Sequence, residues 1–325
     1  MKRWLSTATA QLCMTNPLLT PPALEYIETL FGGLVPDEGG TRVGLTHRLT
    51  TEQSQLETWS IQAGTDQSIA WTLGLEWPLV NSTRRDNPIL LSPDACWPHC
   101  LSSQARQAVL QAGVAVASFN RLDIAHDSPN AEKSGPIFED WPEARWGAIS
   151  AWTWAISRCV DALAQICDEA PRIGVLGHSR SGKAALLAGA TDQRIALTAV
   201  HNSGTAGAAS FQTSGPGAES LHALQQAFPH WLGSECADEG VQARIHQVDN
   251  GSLLASIAPR ALCILQANDD LWANPAGTAA AVEHLRTVYQ NMGAAQNLHY
   301  FERTGGHAIT PLDWQRVAQC LVKCG

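Results

Sequence analysis

Short, continuously apolar segments alternate with helical patterns from residue 88 to the C-terminus, and this alternation constrains the fold more than any other feature. The apolar segments predict strands at residues 88–92, 114–119, 173–177, 195–200, 261–267 and 297–303. The segments between them predict helices at 103–112, 146–166, 180–190, 274–292 and 311–323. Buried strands separated by helices predict a mainly parallel sheet that helices cover on both faces.

The N-terminal third of the chain has a different pattern, in which apolar and polar residues alternate. The stretches TRVGLTHRLT, LETWSIQAG and SIAWTLGLEWP have a period of two and therefore predict antiparallel strands. One helix is predicted at PPALEYIETLF, whereas residues 120–145 and 204–250 are predicted to be irregular. An antiparallel start followed by strand–helix units is typical of an α/β-hydrolase, a three-layer sandwich around a mainly parallel sheet.

The length of the chain allows either one or two domains, since 325 residues is about twice a typical domain. The continuous strand–helix order predicts a single α/β-hydrolase domain over residues 1–325. Within it, we expect residues 1–40 to form an N-terminal extension and residues 204–250 to form an insertion that lines the site.

Charge and hydropathy exclude several kinds of partner. Lys and Arg number 21 against 30 Asp and Glu, and no basic run occurs, so a nucleic-acid partner is not expected. No apolar segment approaches the ~20 residues that span a membrane. The N-terminal MKRWLSTATAQLCM lacks the apolar run of a signal peptide, which predicts a cytoplasmic location, or a secreted or periplasmic one if the natural start differs. The nine cysteines form no framework, so we expect reduced thiols, no metal site and no cofactor.

The most informative motif is IGVLGHSRSGKAALLAG, which places Ser179 between an apolar strand and a helix of small residues. A serine at such a junction lies on a sharp turn at the carboxyl end of the sheet, with its hydroxyl exposed. The N-terminus of the following helix directs unsatisfied N–H groups at the same place. Gly177 and Gly182 provide the small neighbours of a tight turn, although the second comes one residue later than in G-x-S-x-G. The alternative is a serine that only caps the helix.

A nucleophilic serine needs a base, and in this fold a histidine follows the last strand. The sequence TGGHAITP places His307 there, in a loop that Gly305 and Gly306 are expected to make mobile. The alternative is an ordinary histidine in a surface loop. His178 lies beside the serine, but we expect its side chain to point away into packing.

The carboxylate that orients the histidine should follow the preceding strand. The segment ANDDLWANP supplies Asp269 and Asp270 there, and spacing alone does not choose between them. A second position, after strand 195–200, holds Asn202. An asparagine could hydrogen-bond the histidine but could not stabilise an imidazolium by its charge.

Several separated motifs, in this order, resemble those of the glucuronoyl esterases. They are WGAISAWTWAISRCVDAL, GHSRSGKAALLAGATDQRIALTAVHNSGTAGAAS, FPHW, IAPRALCILQANDDLWANP and GGH, and the resemblance covers roughly residues 85–320. Members of this carbohydrate esterase family cleave the 4-O-methyl-glucuronoyl esters that link xylan to lignin. The resemblance is closest to bacterial members and to short proteins described as acetyl xylan esterase-like.

The resemblance implies catalytic roles for the residues that match the family motifs. Ser179 would be the nucleophile, His307 the base and, by the register of the D-x-W run, Asp270 the acid. Arg180 would stabilise the oxyanion through its backbone N–H and its guanidinium. Many members have a glutamate where this chain has Asn202, so an acid is missing at that position.

The resemblance also implies a set of residues that bind the sugar. Lys183 matches a lysine that binds sugar hydroxyls, Glu219 resembles a glutamate that also holds the sugar, and Trp272 resembles a tryptophan that borders it. In chemical terms, a cation and a carboxylate could grip vicinal hydroxyls while an indole covers one ring face. His178 departs from the fungal pattern, which has cysteine there.

These observations predict a serine esterase that hydrolyses 4-O-methyl-glucuronoyl esters through an acyl-enzyme. Its partner would be a small-molecule or oligosaccharide ester, with no role for nucleic acid or a membrane. The alternative on the same triad is a short-chain carboxylesterase or acetyl xylan esterase. A different class, a carbohydrate-binding pseudoenzyme that keeps the fold, is suggested by the missing acid at Asn202.

Overall fold

The computed structural model describes residues 16–79, 87–128, 132–167, 170–245 and 249–324. Strands in these ranges form one nine-stranded sheet. In chain order, β1 to β9 are Arg42–Thr50, Ser54–Ala63, Ile69–Pro78, Ile89–Ser92, Ala115–Phe119, Ile173–His178, Ile195–His201, Ala261–Ala267 and Leu298–Arg303. Across the sheet, their order is β1-β2-β3-β5-β4-β6-β7-β8-β9.

The pairing of the strands confirms the predicted sheet. β1, β2 and β3 pair antiparallel, and β3 also pairs antiparallel with β5. From β5 to β9, every pair in the described part of the chain is parallel. The carboxyl ends of β6 to β9 therefore lie at one edge of the sheet, where ligand sites of such sheets form.

Helices connect the strands and cover the sheet. The α-helices α1 to α10 are Pro21–Tyr26, Ser103–Gln111, Pro136–Asp140, Ala148–Ile166, Arg180–Thr191, Leu221–Ala227, Glu239–Ile245, Gly251–Ala255, Pro275–Asn291 and Pro311–Lys323. Helix α1 continues directly into a π-helical turn at Ile27–Phe31. Short 3-10 turns lie at Thr65–Gln67, Arg121–Asp123, Pro229–Trp231, Leu271–Ala273 and Ala295–Asn297.

Two apolar clusters lie on opposite faces of the sheet. Because side chains alternate along a strand, Leu176 in β6 packs in one cluster and Val175 packs in the other. The first cluster includes buried side chains of α2 and α10, such as Val109 and Trp314. The second includes α4, α5 and α9. This three-layer arrangement confirms the predicted α/β fold class.

The described part of the predicted N-terminal extension packs on the same core. Ile27 and Phe31 are buried in the cluster that contains α4, α5 and α9. The Asn16 side chain donates to the backbone oxygen of Ala190 at 3.0 Å, which ties this segment to α5. Residues 1–15, on which the predicted location depended, lie outside the described residues, and the single-domain assignment stays a prediction. Within the described ranges, the helices are too short or too polar to cross a membrane.

Two segments that we predicted to be irregular contain short helices. Residues 120–145 include α3, and residues 204–250 include α6 and α7. The prediction was wrong there because five to seven residues show too little periodicity to reveal a helix. Helix α6 begins with a local contact instead, since the Ser220 hydroxyl accepts from the Ala223 backbone N–H at 3.1 Å.

Candidate active site

A sharp turn joins β6 to α5, with Ser179 at its corner. Ser179 has φ 56° and ψ −123°, a conformation that a residue with a side chain rarely adopts. Its backbone N–H donates to the oxygen of His201 at the end of β7 at 2.9 Å. The Ser179 hydroxyl makes no capping bond to α5, whereas Ser102 and Ser220 do cap their helices. The alternative, a serine whose role is to cap the helix, is therefore not supported.

Close contacts require both glycines around the serine. A Cβ atom at Gly177 would lie 2.1 Å from the backbone oxygen of Ser181. A Cβ atom at Gly182 would lie 2.8 Å from the Cβ of Ser203. Neither position can hold a larger residue without moving its neighbours. The second glycine, despite its later position in the motif, therefore allows α5 to pack closely against the segment that follows β7.

Asp270, which follows β8, and His307, which follows β9, meet at the same edge of the sheet. Asp270 Oδ2 lies 2.5 Å from His307 Nδ1. The aspartate side chain is 7% exposed, whereas the imidazole is 46% exposed. With Nδ1 held by the carboxylate, Nε2 is the nitrogen left to accept a proton. Asp269 instead accepts from the backbone N–H of Gly305 at 2.7 Å, so the geometry distinguishes the two aspartates.

Asn202 makes its hydrogen bonds to backbone atoms around the histidine. Its Oδ1 accepts from the Ala267 N–H at 2.8 Å, and its Nδ2 donates to the backbone oxygen of His307 at 3.4 Å. These bonds join the end of β7 to the end of β8 and to the histidine loop. Asn202 thus supports the backbone of the site and does not stand in for an acid on the imidazole.

The loop that carries His307 is tied at both sides. Gly305 has φ +108°, which glycine adopts readily, and it exchanges two hydrogen bonds with Asp269. Arg303, at the end of β9, donates to the carboxylate of Asp313 in α10 at 3.1 Å and to backbone oxygens of the loop. We expected the glycines to make this loop mobile, but the structure shows that hydrogen bonds hold it on either side of the histidine.

Lys183, Glu219 and Trp272 form one hydrogen-bonded chain. The Lys183 ammonium donates to Glu219 Oε2 at 3.0 Å and to the backbone oxygens of Ser203 and Thr205. Burial lowers the pKa of Lys183, while the negative charge of Glu219 opposes this shift. The other Glu219 oxygen accepts from the Trp272 indole N–H at 3.1 Å. Lys183 and Glu219 are buried, whereas Trp272 is 48% exposed.

One cavity of about 420 Å³ brings together all the predicted site residues. Its lining includes Ser179, Arg180, Lys183, Glu219, Asp270, Trp272 and His307. The segment 204–250 contributes Phe228 and Trp231 as well as the glutamate. In the described part of the chain, no three His, Cys, Asp or Glu side chains are grouped to hold a metal ion.

A family model described as "Glucuronyl esterase, fungi" matches residues 80–293, which is more than half of this chain. The chain belongs to the glucuronoyl esterase family. The matched region contains the serine turn and the Asp270 position, and His307 follows it. The resemblance predicted from the motifs is therefore confirmed.

Curated members of the glucuronoyl esterase family show the same likeness. The chain is 31% identical over 224 residues to 4-O-methyl-glucuronoyl methylesterase 1 of Phanerochaete chrysosporium. This alignment covers 65% of this chain and 47% of that protein. It is 30% identical over 264 residues to the 4-O-methyl-glucuronoyl methylesterase of Cerrena unicolor. That alignment covers 76% of this chain and 54% of the relative. The chain thus spans about half the length of these curated relatives.

Solved structures of the family share the fold. A carbohydrate esterase family 15 glucuronoyl esterase from Caldicellulosiruptor kristjansonii has a TM-score of 0.75 and 26% identity, over 96% of this chain and 84% of that one. A variant of the Sporotrichum thermophile glucuronoyl esterase, solved with methyl 4-O-methyl-β-D-glucopyranuronate, has a TM-score of 0.70 and 22% identity, over 92% and 79%. Both agree with the α/β fold described above.

In this family member, aromatic rings surround the Arg180 guanidinium beside the serine. The guanidinium carbon lies 5.1 Å from the Trp97 ring centroid, 4.9 Å from Phe228 and 4.7 Å from Trp231. One terminal nitrogen donates to Asp127 at 2.9 Å. Among the described residues, the buried Nε of Arg180 meets no acceptor. Asp127 and the three rings thus hold the positive charge of Arg180 beside the cavity that Ser179 also lines.

Asp127, which the sequence analysis missed, holds Arg180 in place. Its Oδ2 lies 2.9 Å from both Arg121 and Arg180, and its Oδ1 accepts from His230 at 3.2 Å and from Trp231 at 2.9 Å. Burial alone would raise the pKa of Asp127, but the His230 hydrogen bond and the two guanidiniums hold it below its usual value. The charged segment RLDIAHD was the one feature of the sequence that could have pointed to Asp127. Solvent-exposed loops have the same composition, so the segment does not indicate a buried carboxylate.

Replacing Asp127 with Asn is expected to lower the free energy of unfolding at neutral pH by about 3–5 kcal/mol. Arg180 loses its carboxylate partner and, among the described residues, Arg121 keeps only Asp94, at 3.8 Å. A depressed pKa in the folded state means that Asp127 contributes stability above about pH 5, and that this stability is lost as the pH falls further. The variant should therefore lose less stability on acidification than the wild type does. Urea titrations at about pH 7 and about pH 3 measure both effects.

The matched control is Glu235→Gln, which removes one partner of the exposed ion pair between Glu235 and Arg145. We expect that change to alter the free energy of unfolding by less than about 1 kcal/mol, because solvent screens an exposed pair. Equal stability of Asp127→Asn and the wild type at neutral pH would show that the two guanidiniums do not depend on Asp127.

Proposed function

We propose that this protein is a serine esterase that hydrolyses 4-O-methyl-glucuronoyl esters through an acyl-enzyme. The observation that carries the proposal is the hydrogen bond between Asp270 and His307 at the cavity that Ser179 lines. An oriented histidine near a serine on a strained turn is the arrangement that activates a hydroxyl as a nucleophile. The curated relatives carry the name of this ester class, and one related structure holds a methyl glucuronate.

In the first half of the proposed reaction, the Ser179 oxygen attacks the ester carbonyl while His307 Nε2 takes the hydroxyl proton. Asp270 keeps the proton of the resting imidazole on Nδ1 and stabilises the imidazolium that forms. The tetrahedral intermediate then expels the alcohol, which receives the proton from His307. The uronoyl group remains bound to Ser179 as an ester.

In the second half, water replaces the alcohol and reverses the roles. His307 takes a proton from the water molecule while the water oxygen attacks the uronoyl carbonyl carbon. The bond between this carbon and the Ser179 oxygen then breaks, and His307 returns the proton to the serine. The products are the uronic acid and the free enzyme.

The carbonyl oxygen becomes negative in both halves and needs donors directed at it. The backbone N–H of Arg180 is at the first position of α5, where no intrahelical acceptor exists. The Arg180 guanidinium adds a positive charge that Asp127 holds nearby. Removing one such donor typically costs about 3–4 kcal/mol of transition-state stabilisation.

We place the sugar ring of the substrate against Glu219 and Trp272. The half-exposed indole suits stacking on the apolar face of the ring, and the carboxylate can accept from hydroxyls. The Lys183 ammonium already donates to the glutamate and to two backbone oxygens, so its main contribution is to hold Glu219. A direct bond from Lys183 to the sugar would replace one of these contacts.

The proposed substrate bears on the partner and on the location of the protein. A cavity of about 420 Å³ suits a small-molecule ester or the uronoyl end of an oligosaccharide. Uronoyl esters between xylan and lignin lie outside cells. This substrate favours a secreted or periplasmic protein over the cytoplasmic location predicted from the N-terminal residues.

Hydrolysis of benzyl glucuronate and p-nitrophenyl acetate, measured side by side, tests the substrate class. We expect turnover to favour the glucuronate strongly. The Trp272→Ala variant should raise KM for the glucuronate about tenfold, since ~1.4 kcal/mol of lost stacking corresponds to one decade. It should leave hydrolysis of p-nitrophenyl acetate unchanged, because the acetyl group has no sugar ring to place against Trp272.

Leu271→Ala is the matched control, because Leu271 is 53% exposed in the same turn as Trp272 but is not part of the cavity lining. Turnover of the acetate alone would support a short-chain carboxylesterase or acetyl xylan esterase on the same triad. Binding of glucuronate without turnover of either ester would support a carbohydrate-binding pseudoenzyme.

A further inference from the structure

Two buried histidines, His178 and His201, lie next to His307 and have no role in the reaction described above. The ring centroids of His178 and His307 are 4.6 Å apart, with 51° between the ring planes. The Nδ1 atoms of His178 and His201 are 2.9 Å apart. We predicted that His178 points away from the site into packing. It is indeed buried, but the rings on which it packs include that of His307.

The hydrogen bonds around the two histidines allow one protonation pattern. An Arg303 terminal nitrogen lies 3.1 Å from His201 Nε2, and a guanidinium only donates, so this ring nitrogen must accept. Nδ1 of a neutral His201 then carries the proton and donates it to Nδ1 of His178. The proton of a neutral His178 is thereby placed on Nε2.

Arg303 connects these histidines to the loop of His307. Its Nε donates to both oxygens of the buried Asp313 carboxylate, at 3.3 and 3.1 Å. Its terminal nitrogens donate to the backbone oxygens of Thr304 and Ala308, one on each side of His307. The same guanidinium thus ties the loop that carries His307 and fixes which ring nitrogens of His201 and His178 carry a proton.

Both buried rings are neutral near pH 7. Burial lowers the pKa of His178 well below its usual value, and the neighbouring histidines lower it further. Burial also lowers the pKa of His201 to about 4, although Asp313 opposes the shift. A neutral ring can pack on His307 without repelling the imidazolium that forms there. The titratable groups that act on the two rings are His99, Arg180, Asp270, Arg303, His307 and Asp313.

We propose that His178 is a positioning residue that supports the ring of His307. His201 and Arg303 hold it there, so that the base keeps Nδ1 on Asp270 and Nε2 towards the serine. Such support is needed because the His307 imidazole is half exposed, and a single hydrogen bond to Nδ1 leaves the ring able to tilt about that bond. A packed neighbour opposes the tilt. The proposal rests on the proposed esterase activity and adds one residue to its machinery.

Three substitutions at position 178 distinguish the contribution of the His178 ring from that of its hydrogen bond to His201. His178→Ala removes both, His178→Phe keeps a ring of similar size, and His178→Asn keeps an acceptor for His201 without the ring. We expect kcat to fall about tenfold in the Ala and Asn variants, since misplacing a catalytic group by about 1 Å can cost up to 100-fold. We expect His178→Phe to retain most of kcat, and KM to stay near the wild-type value in all three.

The second readout is the rate at which a fluorophosphonate labels Ser179. In this reaction the serine oxygen displaces fluoride from phosphorus, and the proton of the hydroxyl passes to His307. The rate therefore reports activation of the serine without any recognition of a uronate. We expect it to follow the same order, with His178→Phe above His178→Asn and His178→Ala. His284→Ala, which removes an exposed histidine of α9, should label as fast as the wild type.

The outcomes separate this proposal from the proposed substrate. Fast labelling of a wild type that leaves glucuronate esters intact would contradict the substrate, while the labelling order would still test His178. If His178→Ala fails to fold, the comparison of the Phe and Asn variants gives the answer. The proposal is overturned if His178→Phe is as slow as His178→Asn, or if the loss falls on KM. A wild type that is not labelled at all would overturn both proposals.

Discussion

Replacing Ser179 with Ala is expected to lower kcat for a glucuronate ester by about 10⁶-fold while leaving the melting temperature unchanged. The hydroxyl makes no capping bond, so its loss removes no contact of α5. It removes only the atom that would attack the ester. Adding His307→Ala to this variant should cost almost nothing more, because the serine and its base act as one unit. Single-turnover hydrolysis of benzyl glucuronate measures both variants.

Ser102→Ala is the matched control for this prediction. Ser102 also precedes a helix, but its hydroxyl accepts from the Ala105 backbone N–H at 3.2 Å. Its loss should lower the free energy of unfolding by about 1 kcal/mol and leave kcat unchanged. The two serines should therefore give opposite results. Substantial ester hydrolysis by Ser179→Ala would exclude the proposed mechanism.

Asp270→Asn is expected to lower kcat by about 10⁴-fold, whereas Asp269→Asn should stay near the wild-type rate. The Asp270 carboxylate only accepts, so it keeps the proton of His307 on Nδ1 and leaves Nε2 able to take the serine proton. An asparagine can donate its N–H to Nδ1, which favours the tautomer with the proton on Nε2. That tautomer cannot act as the base.

The adjacent residue, Asp269, provides the matched control for this prediction. Asp269 accepts from the Gly305 backbone N–H, and an asparagine at this position keeps an acceptor oxygen. The pH dependence of kcat/KM should be measured for both variants, together with their melting temperatures, so that a folding defect is separated from a catalytic one. Equal losses in the two variants, or a nearly active Asp270→Asn, would contradict the assignment of the acid.

The order of the proposed nucleophile, acid and base along the chain was predictable because the fold places them by topology. Ser179, Asp270 and His307 each follow an apolar strand, and the carboxyl ends of parallel strands lie at one edge of the sheet. Strand periodicity is a local property that can be seen in the sequence. Parallel pairing then brings together residues that are far apart in the chain, so the meeting of these residues follows from the fold class.

Other parts of the site could not be predicted because they depend on which way one side chain points. Asp127 lies in a segment whose composition resembles a solvated loop, and only its contacts with Arg121, Arg180 and Trp231 show that it faces inward. His178 was expected to pack away from the site. The turn at Ser179 instead places it against His307. Neither orientation has a local sequence signal.

The sequence by itself determined the fold class, the family and the strand ends at which Ser179, Asp270 and His307 lie, because these depend on periodicity, motif and chain order. The register of the family motif favoured Asp270 over Asp269, but only the tertiary structure shows which of them contacts the imidazole. Only the tertiary structure shows that Arg303 ties the glycine-containing loop of His307. The physical reason is that a step of one residue in a turn redirects a side chain. Which residue finds a partner is then set by atoms from distant strands.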